Sequence, residues 1–135
     1  MVMNTALIIP MAVHMFLTAI LYAMLTIMRA PAVWKVGARA DGSNPFAEIE
    51  KRASANLSNQ FEWPLFFYVA CLILLGLQDL YAFDYVCAAW VFIIGRMLHS
   101  LVQIFTNNIR LRGMVFCLNF IAVIYIWIRL LIDLL

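Results

Sequence analysis

Four apolar stretches run along the chain, separated by polar segments of unequal length, and the pattern predicts four membrane-crossing helices. The first stretch, over 5–28, is long enough for the ~20 apolar residues that a bilayer requires. No Lys or Arg precedes it, and its apolar run exceeds that of a signal peptide, so it reads as a retained helix. Pro10 sits early in it, and His14 is its one strongly polar side chain, read as a neutral histidine bonded to a neighbouring helix. The one long hydrophilic segment follows, over 29–56. In it, Asp41-Gly42-Ser43-Asn44-Pro45 signals a turn, with Ser43 or Asn44 placed to cap a helix. A second helix is predicted over 45–77, starting in water and entering the bilayer near Leu57. A link over 78–84 leads to a third helix over 83–105, and Thr106-Asn107-Asn108 to a fourth over 111–133.

Composition makes the solvent explicit. Of 135 residues, 67% are hydrophobic and 12% charged, with a mean hydropathy of +0.97, so the chain reads as one all-α integral membrane domain spanning 1–135. The expected architecture is an up-down-up-down bundle of four transmembrane helices in contact with membrane lipids. Net charge is only +2 and the basic residues form no stripe, so nucleic acid is not an expected partner. Cys71, Cys87 and Cys117 lie in separate apolar segments and read as small buried thiols rather than as metal ligands or a disulfide framework.

The loop after the first helix and the loop after the third hold nearly all the Lys and Arg, which places both on the cytoplasmic side and both termini on the other. Arg129 is the exception, and it is expected to snorkel to the outer interface near Asp133.

Against that frame, a few polar residues stand out. A charge at the bilayer centre costs about 3 kcal/mol or more, so intramembrane charges mark bundle interiors and sites. Glu62 and Arg96 fall roughly 8 to 14 Å in from the cytoplasmic ends at the helical rise, deep enough to pair across the bundle. His99 and Gln103 continue the Arg96 face, while Arg52, Asn56, Asn59 and Glu62 share a face of the second helix. Two polar faces opening to one basic side describe a pocket for a polar, anionic molecule, crowned by Arg110 and Arg112, whose guanidinium groups can hold a carboxylate through two parallel hydrogen bonds. The plainer alternatives stay open: Arg110 and Arg112 as membrane anchors, and Glu62 with Arg96 as a structural ion pair.

The residues also carry a resemblance. A four-helix membrane chain of this length, with R-A-x-x-N and N-x-x-E-x-P leading into the second helix and G-R-x-x-H followed by an arginine-bearing loop, resembles the MAPEG superfamily of eicosanoid and glutathione metabolism. The resemblance implies a homotrimer that binds glutathione between the helices of adjacent subunits, near the cytoplasmic face. It places His99, in Gly95-Arg96-Met97-Leu98-His99, among the glutathione contacts, and gives Arg112 the catalytic role of binding glutathione and its thiolate. In the second helix, Arg52-Ala53 with Asn56 fits one register and Asn59 with Glu62 another; the second supplies the acid that holds the ammonium group of glutathione. Arg52, Asn56, Asn59, Glu62, Arg96, His99, Gln103 and Arg110 together form the expected glutathione site.

The chain departs from that pattern at Gln103, where transferase and synthase members tend to carry a tyrosine near the thiol, and at Gly113, where a hydroxyl residue follows the arginine. Thiol activation then falls to arginine charge and a histidine. The function implied is a membrane-bound, glutathione-dependent transferase or peroxidase acting on lipophilic electrophiles or hydroperoxides. The alternative is a non-catalytic scaffold or lipid-binding protein of the same fold. Glutathione is the expected cosubstrate, with no metal and no haem; His14 and His99 are offset by ~10 Å or more along the helices, too far for one haem to bridge within a subunit. A bacterial inner membrane suits such a chain better than an endoplasmic reticulum.

Overall fold

The computed structural model describes residues 4–77, 80 and 83–135, and every regular element among them is helical. A short 3-10 turn, Asn4–Leu7, leads into α1, Ile8–Trp34. Then come α2, Ala47–Asn59; α3, Pro64–Gly76; α4, Phe83–Phe105; and α5, Ile109–Leu134. Among the described residues four segments are long and apolar enough to cross a membrane: 5–34, 47–76, 83–105 and 109–134. Gln78, Asp79, Tyr81 and Ala82, which make up most of the expected link over 78–84, lie outside the described residues.

Two elements differ from expectation in an instructive way. The first helix continues six residues past Met28, through Pro31, and ends where Lys35 turns left-handed at φ 61°. Its end is held from the loop, because Asn44 Nδ2 donates to the carbonyl of Met28 at 2.9 Å, in the turn that the proline ring loosens. Asn44 therefore does not cap the next helix; its Oδ1 accepts from the backbone N–H of Phe46 at 2.9 Å in an Asx turn. Arg29, in the extended part of α1, bonds Glu50 at 2.9 Å and Ser54 at 3.2 Å, fastening α1 to α2.

The second correction concerns the helix predicted over 45–77, which is two helices with a break between Asn59 and Pro64. Pro64 has no N–H to give the carbonyl of Gln60, and its ring clashes with that group, so a proline here ends one helix and starts another. Tight turns replace the ladder: Gln60 N–H donates to the carbonyl of Leu57 at 3.1 Å and Phe61 N–H to that of Ser58 at 3.0 Å.

Packing follows the apolar stripes. On α3 the buried positions Phe67, Ala70, Cys71 and Leu74 recur at helical spacing. They meet Phe92 and Ile93 of α4 and Val123, Ile126 and Leu130 of α5 in the larger core. A smaller core joins Leu21 and Leu25 of α1, Ala53 and Leu57 of α2 and Ile104 of α4. Helices α4 and α5 approach closely at Gly95, where an added Cβ would stand 3.1 Å from both the Cβ and the backbone nitrogen of Asn119. Most large apolar side chains outside these cores are exposed, as befits helices whose outer faces meet lipid. Cys71 is buried as expected, but Cys87 and Cys117 are not; both lie on the outward faces of their helices.

Candidate functional site

Between the two apolar cores lies a layer of polar side chains. Along α4 the larger core reaches Ile93 and the smaller one begins again at Ile104. Arg96, His99, Ser100 and Gln103 fill the interval, all nearly or fully buried. Facing them are His14 of α1, Asn56 of α2, and Gln60 in the break. A polar layer in a membrane bundle persists only if its members satisfy one another, and most of these do.

Gln60 is the hub. Its Oε1 accepts from Arg96 Nε at 3.2 Å and meets His14 Nε2 at 3.0 Å. Its Nε2 donates to Asn56 Oδ1 at 3.1 Å and to Ser100 Oγ at 3.2 Å. The far nitrogen of His14 meets the Tyr68 hydroxyl at 3.0 Å, so the expectation of a histidine bonded to neighbouring helices is met. Arg96 gains a second acceptor from the helix break, where Nη2 donates to the carbonyl of Asn59 at 3.0 Å. A continuous helix would have spent that carbonyl on its own backbone ladder.

Two clefts open on either side of this layer. The outer one, about 330 Å³, is lined by Lys51, Arg52, Gln103, Asn107 and Arg112. Arg52 is steadied in it by a 3.2 Å bond from Nη1 to Asn107 Oδ1. The inner one, about 310 Å³, is lined by Asn59, Glu62, Trp63, Phe66, Arg96, His99 and Phe116. The wall between them is the amide of Gln103, whose Oε1 accepts from Asn56 Nδ2 at 2.9 Å and Asn59 Nδ2 at 3.1 Å.

The expected site residues therefore divide. Arg52, Gln103 and Arg112 come together in the outer cleft, and Asn59, Glu62, Arg96 and His99 in the inner one. Asn56 is fully buried and belongs to the dividing wall. Arg110 is exposed and lines neither cleft. The single pocket read from the sequence is thus two. Glu62 and Arg96 do not close into an ion pair: both line the inner cleft, within electrostatic reach but with no contact within 4.0 Å. His99 packs its ring near Phe116, at a centroid distance of 6.0 Å. It is 4% exposed, and its Nδ1 has no hydrogen-bond partner among the described residues.

Gln60, Ser100, Tyr68 and Asn119 were not singled out from the sequence. A signal existed for Gln60, which follows Arg52 and Asn56 at intervals of four. Ser100 and Asn119 carry none, because a lone small polar residue in an apolar helix does not reveal what it faces. Asn119, fully buried on α5, instead supplies its carbonyl to Trp63 Nε1 at 3.4 Å, which seats the tryptophan ring on Phe120 with centroids 4.6 Å apart.

A second polar cluster lies away from these clefts. Arg129 bonds Asp84 at 3.2 Å and also contacts Asp133, while Tyr85 and Tyr125 donate to Asp133 and Asp84 at 2.8 and 2.6 Å. Arg129, expected only to lie near Asp133 at the interface, pairs with it. Among the described residues no group of three or more His, Cys, Asp or Glu side chains is placed to hold a metal ion.

Comparison with known proteins gives one match. The family model described as the MAPEG family covers residues 7–132, taking in both clefts and nearly all of the four apolar segments. No curated protein and no solved structure matches the chain. On a match that extends over nearly its whole length, the protein belongs to the MAPEG family.

Proposed function

We propose that the protein is a membrane-bound, glutathione-dependent transferase or peroxidase acting on lipophilic electrophiles or hydroperoxides. The observation that carries this reading is the separated pair Glu62 and Arg96, which share a cleft without touching. A carboxylate and a guanidinium held apart suit an amino-acid head group: the acid faces its ammonium, and the guanidinium its carboxylate. The outer cleft, with Arg52 and Arg112, suits a second carboxylate and a thiolate. Glutathione carries all of these groups within one small molecule.

The departure at Gln103 bears on chemistry. With Oε1 engaged by Asn56 and Asn59, Gln103 Nε2 is left as a donor at the wall of the outer cleft. It can give a hydrogen bond to a thiolate where other family members offer a tyrosine hydroxyl. Arg112 supplies the positive charge, and the two together favour the thiolate over the thiol. The lipophilic partner would arrive from the bilayer along the aromatic wall of Trp63, Phe66 and Phe116.

The reading includes a homotrimer. Glu62 is exposed on the isolated chain although it falls within an apolar span, and a carboxylate facing lipid is expensive. Packing against further copies of the chain would cover it and close the clefts. The orientation proposed is both termini outside the cytoplasm and the two basic loops inside it, in a bacterial inner membrane. A second reading, a non-catalytic scaffold or lipid-binding protein of the same fold, is favoured by the amide at position 103, a weaker acid than a phenol.

The test is glutathione binding to the detergent-purified protein, followed by calorimetry and by the ultraviolet absorbance of the thiolate. Binding that weakens in Glu62→Gln and loses its thiolate signal in Arg112→Ala is the expected result. No binding, or binding indifferent to both changes, defeats the proposal, and binding without turnover of any electrophile or hydroperoxide favours the second reading.

A further inference from the structure

A guanidinium that is fully buried in a membrane bundle would ordinarily be matched by a carboxylate. Arg96 is 0% exposed, yet both of its acceptors are uncharged: Gln60 Oε1 and the carbonyl of Asn59. Nη1 has no acceptor among the described residues, and the side chain lines the inner cleft.

The orientation of the Gln60 amide is not arbitrary. Arginine Nε can only donate, so the atom 3.2 Å from it must be the amide oxygen. The same oxygen meets His14 Nε2 at 3.0 Å, which requires that nitrogen to carry the proton. The amide nitrogen points the opposite way, where Asn56 Oδ1 and Ser100 Oγ accept. With side chains of α1, α2 and α4 holding it, Gln60 fixes the guanidinium plane while leaving its charge unneutralised.

We propose that Gln60 is the positioning residue of the inner cleft: it holds Arg96 through a neutral acceptor, so that the guanidinium keeps its full charge for an anionic group of the bound ligand. This rests on the reading above, in which that group is the α-carboxylate of the γ-glutamyl end of glutathione. A glutamate at position 60 would hold Arg96 as well or better, but would satisfy its charge internally.

The experiment compares wild type with Gln60→Glu, purified in detergent. Each is titrated with glutathione and with an analogue whose γ-glutamyl residue lacks the α-carboxylate, and thermal stability is measured alongside. In the wild type, losing that carboxylate should weaken binding about tenfold or more, the range for a hydrogen bond to a charged group. In Gln60→Glu, glutathione itself should bind about tenfold more weakly or worse and the two ligands should bind alike, while loss of the donor to Asn56 Oδ1 lowers the melting temperature. A merely structural role predicts that both ligands lose affinity in proportion, so that the wild-type preference for the α-carboxylate persists in Gln60→Glu. Unchanged glutathione affinity in Gln60→Glu overturns this inference alone, whereas a wild type that binds no glutathione overturns it together with the proposed function. If Gln60→Glu does not fold, the wild-type comparison still decides, because equal affinity for the two ligands is incompatible with Arg96 reading the carboxylate.

Discussion

Asn56 Nδ2 donates to Gln103 Oε1 at 2.9 Å, and this contact, doubled by Asn59, divides one polar interior into two clefts. Asn56 is 0% exposed, so its amide has no water to fall back on. Replacing Gln103 with Leu should leave that donor unsatisfied and destabilise the protein by about 1–3 kcal/mol. Thermal unfolding in detergent measures it. A melting temperature equal to wild type would mean that the wall is not held by this bond.

Arg110 and Arg112 are neighbours in sequence but not in role. Only Arg112 lines the outer cleft, while Arg110 is exposed away from both clefts. Arg112→Ala is expected to weaken glutathione binding about tenfold or more, by loss of a charge-assisted contact. Arg110→Ala should leave binding within error of wild type. Both variants should melt as the wild type does, which calorimetry and thermal unfolding check side by side. Equal losses from the two would point to a general electrostatic effect of the basic loop.

Gly95 allows α4 and α5 to touch. Its hypothetical Cβ would lie 3.1 Å from Asn119 Cβ and 3.1 Å from the Asn119 nitrogen, and neither is a flexible end. Gly95→Ala must push the helices apart locally, and overpacking of this kind costs about 1–3 kcal/mol. Because Arg96 and His99 follow on the same helix, glutathione affinity should fall along with stability. Unfolding measurements that find Gly95→Ala as stable as wild type would show that the interface yields freely.

The loop between α1 and α2 carries a titration that a spectroscopist can follow. Asp41 accepts from the Ser43 hydroxyl at 2.7 Å and from the Ser43 N–H at 3.0 Å. These bonds, the hydroxyl first, hold its carboxyl below the ordinary range. A depressed folded value means that the turn's contribution is fully present above the ordinary carboxylate pKa and is lost as pH falls through the folded one. Ser43→Ala should move the Asp41 titration back up toward the ordinary value, read by NMR of the carboxyl carbon. No movement would mean that the hydroxyl is not the main cause.

Much of this was legible in the sequence, for a physical reason. A bilayer imposes length and polarity on any helix that crosses it, so the third and fourth helices were placed within two residues of their observed ends. Spacing along a helix likewise put Arg96, His99 and Gln103 on one face, and all three are buried in the polar layer. Arg129 was expected near Asp133 at the end of the fourth helix, and the two meet.

What the sequence did not determine is which face meets which, because that depends on where a helix stops being a helix. The second helix was read straight through Pro64, and only the tertiary structure shows the break and how its freed backbone is used, with the Asn59 carbonyl going to Arg96 and Gln60 turned inward as the hub. Glu62 falls in the break rather than on a continuous helix, and it shares the inner cleft with Arg96 without pairing with it. Local periodicity fixes a residue's direction on its own helix. The partner it finds there is set by the packing of all the helices at once, and that is why Glu62 and Arg96, deep enough to pair, share a cleft without pairing in the folded chain.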